Sequence, residues 1–145
     1  MALNDFSRSL PMMLYRALDA VMPRFRRIFN EFGLTEQQWR VLRVLVDENE
    51  LSLRELAELT LIPAPSLVGV VDRLRRSGLI TRRRSASDRR VVFVVATEEG
   101  RALQRQLMPL VAAAYAELMQ SLAPREWIRL IDRLEKICDA ERPRI

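Results

Sequence analysis

The chain has no histidine and only one cysteine, Cys138, among its 145 residues. Lacking histidine, it lacks the usual general base and the commonest metal ligand. A lone cysteine excludes an intrachain disulfide and a cysteine-built zinc cluster and suits a reducing cytoplasm. No nucleophile–base pair suggests itself, so neither an enzyme nor a bound metal or cofactor is expected. Lysine is almost missing as well: Lys136 is the only one, and every other cation is arginine. Four glycines and 6% aromatic residues point to a mostly helical protein. No apolar run reaches the roughly 20 residues that span a bilayer. The start, MALNDFSRSL, lacks a charged region followed by an apolar core, so no signal peptide is expected and the protein is placed in the cytoplasm.

What is present is ordinary in amount and unusual in arrangement. With 49% hydrophobic and 30% charged residues, the composition is that of a globular domain with a moderate core. The net charge of +5 favours nucleic acid, an anionic membrane surface or an acidic protein as partner. Arginine is the cation best suited to forked contacts with phosphate and guanine.

Helical periodicity opens the chain. Leu10, Leu14, Ala17, Val21, Phe25, Ile28 and Phe32 recur at spacings of three and four from residue 6 to 32. Met13, Leu18, Met22 and Phe29 widen this stripe beyond one packed face. Pro11 fits the first turn, whereas Pro23 should kink or divide the helix. Gly33 is the stop. A second helix starts at Thr35, whose spacing to Gln38 is that of a capping box. Asp47 to Glu50 reads as a polar break. Ser52 and Glu55 repeat the capping spacing before a short helix over 53–60. A turn follows, then a helix over 65–77 with Pro65 at its first position. Two β-rich runs, 79–84 and 91–96, flank a polar tip and form a hairpin. Helical period returns after Thr97, with a bend expected at Pro109. A last helix starts at Ala123 and Pro124 and turns Leu130, Ile131, Leu134 and Ile137 inward.

A short helix, a turn, a second helix and a basic hairpin in immediate succession have the order of a winged helix-turn-helix. In the 65–77 helix, Leu67, Val70, Val71 and Leu74 form the docking stripe. Pro65, Ser66, Gly69, Arg73 and Arg76 form a modest polar face for the major groove. Gly69 costs the helix about 1 kcal/mol relative to alanine, which fits close approach of DNA or, equally, a tight helix–helix contact. Ser52 and Arg54 are candidate contacts to the DNA backbone. The hairpin adds Arg82, Arg83, Arg84, Arg89 and Arg90. Its tip can enter a minor groove, where arginine is favoured. Asp88 can pair with one neighbouring arginine and hold the tip in shape. The sequence leaves open which of Arg89 and Arg90 enters the groove.

The run Asp88-Arg89-Arg90, VVFVV, Ala96-Thr97-Glu98-Glu99-Gly100 resembles the wing signature of MarR-type transcriptional regulators. LTEQQWRVLRVL, LSLRELAELT and VVDRLRRSGLITRR, upstream, agree with it, and the likeness covers nearly the whole chain. Ala96 stands where leucine is usual, and Gly69 and Val70 replace polar residues that many members carry. The resemblance implies a mainly α fold with a small β-hairpin wing (α+β). It implies a DNA-binding lobe over 34–97 and a dimerisation region over 1–33 and 98–145. It also implies a homodimer on a pseudo-palindromic duplex, acting as a repressor. The combination of SLPMMLYRA with LTEQQWRVLRVL is most similar to the branch that regulates aromatic-acid catabolism, such as homoprotocatechuate-operon repressors. A small phenolic or aromatic carboxylate is the effector this implies. Arg16, Asp19 and Trp39 are the candidate pocket residues. Arg16 can fork onto a carboxylate or make an ordinary ion pair, and Trp39 can wall a pocket or fill the core. Two alternatives remain open: a thiol-based redox-sensing repressor using Cys138, and a basic protein-interaction or membrane-surface module.

Overall fold

The computed structural model describes residues 5–141. Among them are six α-helices, two 3-10 turns and a three-stranded antiparallel sheet. The chain falls into two compact units, one up to Val111 and one from Ala112.

In the first unit, Asp5 accepts from the Ser7 N–H and caps a 3-10 turn, Phe6–Arg8. Helix α1, Leu10–Glu31, begins only after the extended Ser9, so the helix expected from residue 6 is shorter at its start. Pro11 lies in its first turn, where a missing N–H leaves nothing unbonded. Pro23 does not divide the helix: α1 runs unbroken through it. Gly33, at φ +71°, is the left-handed stop.

Helix α2, Glu36–Glu48, starts with a complete capping box. The Gln38 N–H donates to Thr35 Oγ1 at 3.2 Å, and the Thr35 N–H donates to Gln38 Oε1 at 2.8 Å. Helix α3, Leu53–Thr60, repeats the device with Ser52 and Glu55 at 3.2 and 2.8 Å. Such caps contribute about 1 kcal/mol each. The supposed polar break between these helices holds a strand. β1, Glu50–Ser52, pairs antiparallel with β3, Val92–Ala96, placing Leu51 opposite Val94. Three residues carry no period of their own, so only the distant partner makes this a strand.

Helix α4, Ala64–Arg76, starts one residue earlier than expected, with Pro63 as its N-cap and Pro65 second rather than first. Strand β2, Ile80–Arg84, pairs with β3 from Ile80 opposite Ala96 to Arg84 opposite Val92, giving the sheet order β1-β3-β2. Val41, Leu42 and Leu45 of α2, Leu56 of α3, Leu67, Val70, Val71 and Leu74 of α4, Ile80 and Val94 form the core. Burying each such side chain is worth roughly 2 kcal/mol. Four of these residues lie on α4, so its rotation about its own axis is fixed. Its other face must point to solvent.

Helix α5, Glu98–Leu118, crosses from one unit to the other and, like α1, is unbroken at its proline, Pro109. Its first turn is tied to the end of α4. The Thr97 N–H donates to Leu79 O at 3.0 Å, and the Thr97 hydroxyl donates to Gly78 O at 2.6 Å. The Thr97 hydroxyl oxygen in turn accepts from the Gly100 N–H at 3.1 Å. A Cβ on Gly100 would stand 2.1 Å from Leu79 O.

The second unit holds the end of α5, a 3-10 turn at Met119–Ser121 and α6, Pro124–Glu141. The Trp127 indole donates to Met119 O at 2.8 Å. Tyr115, Leu118, Met119, Trp127, Ile128 and Ile131 line an apolar groove of about 420 Å³. Leu130, Ile131 and Ile137, expected inward, are exposed, and Leu134 is half-buried. Cys138, on the same helix, is exposed too. Periodicity finds an apolar stripe; it cannot say whether the chain itself covers that stripe. Among the described residues, no helix is long and apolar enough to cross a membrane.

Candidate nucleic-acid interface

The turn between α3 and α4 is built by Leu61 in a left-handed conformation, φ +54°. Its approach is held by Arg40 of α2. One guanidinium nitrogen donates to Thr60 O, at the negative end of α3, at 3.0 Å. Another pairs with Glu36 at 2.8 Å, and Glu36 also takes Arg26 of α1 at 3.0 Å. A polar chain thus joins α1, α2 and the entry to α4. Nothing in the sequence pattern announced it, because its members are 10, 4 and 20 residues apart.

On α4, Pro65, Ser66, Arg73 and Arg76 are exposed and Gly69 is half-exposed, all opposite the buried stripe. Val70 belongs to that stripe and is fully buried, so it is no base-contact position; the exposed apolar residue is Val68. At Gly69 a Cβ would meet only Arg73 Nη1, at 3.5 Å. Among the described residues of one chain, no second helix presses on it.

In the wing, the five arginines fall into distinct roles. Arg82 faces inward: its Nη2 pairs with Asp72 of α4 at 2.8 Å, and its Nε is buried without a partner. It ties the wing to α4 rather than extending from the tip. Arg83 pairs with Glu50 of β1 and lies over the Phe93 ring, 5.6 Å from its centre. Arg90 is folded onto Asp88, with its N–H at 3.0 Å and its Nε at 3.2 Å from Oδ1. The Arg90 backbone N–H first, and its guanidinium second, hold the Asp88 carboxyl below its ordinary range. Among the described residues, Arg84 and Arg89 are exposed cations without an intramolecular partner.

Ser52 spends its hydroxyl on capping α3, and Arg54 makes an exposed pair with Glu58 at 3.1 Å. Such a pair is worth little and yields readily to a phosphate. The pocket candidates are dispersed. Trp39 is buried and stacked on Phe29, centroids 5.2 Å apart. Arg16 and Asp19 are exposed on α1. Arg16 precedes Phe29 by 13 residues of continuous helix, or about 20 Å at 1.5 Å per residue. One chain therefore does not bring Arg16 and Trp39 together.

Three helices and a small sheet that present an arginine-bearing helix beside an arginine-rich hairpin define a winged helix-turn-helix, the DNA-binding part of a transcription regulator. The chain belongs to the MarR family, whose profile matches residues 32–91. The HTH-type transcriptional regulator FarR of Neisseria gonorrhoeae is 32% identical over 133 residues, covering 92% of this chain and 91% of that protein. The homoprotocatechuate degradative operon repressor of Escherichia coli is 33% identical over 128 residues, covering 88% and 86%. The crystal structure of NadR in complex with 4-hydroxyphenylacetate is similar at a TM-score of 0.80 and 32% identity, covering 94% of this chain and 97% of that one. The protein is a DNA-binding transcriptional regulator, as the wing signature implied.

Proposed function

We propose that the protein is a homodimeric repressor that grips a pseudo-palindromic operator with α4 and the wing, and that a small aromatic acid releases it. The observation that carries the DNA contact is the division of labour in α4: four core residues lock one face while Ser66, Gly69, Arg73 and Arg76 stay open on the other. Dimerisation is supported by apolar side chains one chain leaves exposed: Leu10, Met13, Leu14 and Leu18 on α1, and Ile128, Ile131 and Ile137 on α6. Residues 34–97 then serve as the DNA lobe, and 1–33 with 98–145 as the dimer region. Two α4 helices on one face of DNA should protect half-sites about 10 bp apart, centre to centre. Footprinting that finds one asymmetric half-site, held by a monomer in sedimentation, refutes the dimer reading.

The effector class rests on likeness to relatives and on Trp39. NadR is a 32%-identical protein crystallised with 4-hydroxyphenylacetate. In this chain Trp39 has two arginines to weigh. Arg43 lies one turn further along α2, paired with Asp47; Arg16 could join a Trp39 site only from a second copy. A ligand that prefers a dimer with misplaced α4 helices weakens DNA binding by that preference, commonly about 1–3 kcal/mol. Titrating the operator complex with phenolic and phenylacetic acids should lower affinity. Arg16→Ala or Arg43→Ala should abolish the response and spare DNA binding, showing which arginine meets the carboxylate. No response at millimolar excess, or a wild-type response in both variants, removes the pocket and leaves the DNA reading intact.

A further inference from the structure

The first turns of α4 are poor in hydrogen-bonding groups. In a helix-turn-helix these N-terminal residues are the ones that meet base edges. From residue 64 to 69 the solvent-facing positions are Ala64, Pro65, Ser66, Val68 and Gly69. Only Ser66 has a polar side chain. Val68 is 46% exposed, although a β-branched residue gains the helix nothing there. Arg75 and Arg76 lie two turns further on. Asp72, which could accept from a cytosine amino group, is already bound by Arg82 at 2.8 Å. Arg73 alone reaches back, its Nη1 lying 3.5 Å from where a Cβ on Gly69 would stand.

Apart from the Ser66 hydroxyl, a surface of methyls, a proline ring and bare backbone offers little that reads donors and acceptors. The feature of the major groove it fits is the thymine C5-methyl group, which apolar side chains contact directly. Gly69 adds the clearance that lets the helix come close. Resting on the reading of α4 as the groove-facing helix, we propose that Val68 is a specificity-determining residue that packs on a thymine methyl. The half-site is thus marked by thymine, and the arginines of α4 act mainly on phosphates.

The test begins with duplexes enriched from a random pool by the full-length protein. Each thymine of the enriched half-site is replaced by uracil, which differs only by the methyl group. At one or two positions affinity should fall about fourfold, the worth of burying one methyl. 5-Methylcytosine paired with guanine at the same position should recover part of it relative to plain cytosine. In Val68→Ala the uracil penalty should vanish, as expected when two changes remove one contact. In Arg73→Ala overall affinity should drop while the uracil penalty persists. Enriched duplexes that tolerate uracil everywhere, or a uracil penalty unchanged in Val68→Ala, overturn the proposal and leave DNA binding by α4 standing. Failure to enrich any duplex overturns the DNA-binding reading with it.

Discussion

Arg89→Ala should weaken operator binding roughly tenfold or more and lower the salt slope by about 1 for each wing. Arg90→Ala should act differently, because the two side chains start from different places. Arg90 is engaged by Asp88 through its backbone and its guanidinium, whereas Arg89 is exposed without an intramolecular partner among the described residues. Of this pair, Arg89 is therefore expected to be the one that enters a minor groove. Removing Arg90 loosens the tip and frees an acidic group beside the DNA. Asp88→Asn should reproduce the loosening without adding the charge, so it should be milder. Circular dichroism and sedimentation should show all three variants folded, since none touches the core. Wild-type affinity and salt slope in both arginine variants would sink the wing assignment.

The largest effect on stability should come from a single methyl group. Gly100→Ala places a Cβ 2.1 Å from Leu79 O and 3.1 Å from Leu42 Cδ1. The nearer atom is backbone, held between Thr97 and the end of α4, so it cannot swing aside. Overpacking of this kind costs about 1–3 kcal/mol, and this contact lies at the high end. Urea unfolding at fixed protein concentration should show the midpoint falling with the slope unchanged. Gly69→Ala makes the contrast: its new methyl meets only a mobile arginine tip, and helix propensity improves by about 1 kcal/mol. An unchanged midpoint in Gly100→Ala would mean that the junction of α5 with Leu79 is looser than the geometry here.

Much of this architecture was legible in order along the chain. The capping pairs Thr35–Gln38 and Ser52–Glu55, the stop at Gly33, and the buried stripe of α4 depend on neighbours three or four residues away. Each turned up where the spacing placed it. What depended on distant partners did not. β1 exists because β3 lies beside it, and Arg82 looks like a wing contact until Asp72 is seen across from it. Arg89 and Arg90 are identical in sequence terms; only the fold of the tip tells them apart. The stripe on α6 was found correctly and its direction was not, since an amphipathic helix looks the same whether its own chain or another covers it. The pocket fared worst. Arg16 and Trp39 are 23 positions apart, and the unbroken α1 holds them at a distance no motif could have revealed.

The near-absence of lysine and the lack of histidine acquire a meaning on the folded surface. Every cation on α4 and the wing is a guanidinium, which neither gives up its proton in the range where proteins work nor accepts an acetyl group. The carboxylate that shapes the tip is held ionised by its own arginine. The positive charge of this face therefore rests on groups that do not deprotonate, and lysine acylation has nothing there to neutralise. Of the physical levers on that charge, ionic strength remains, through the counterions that DNA binding releases.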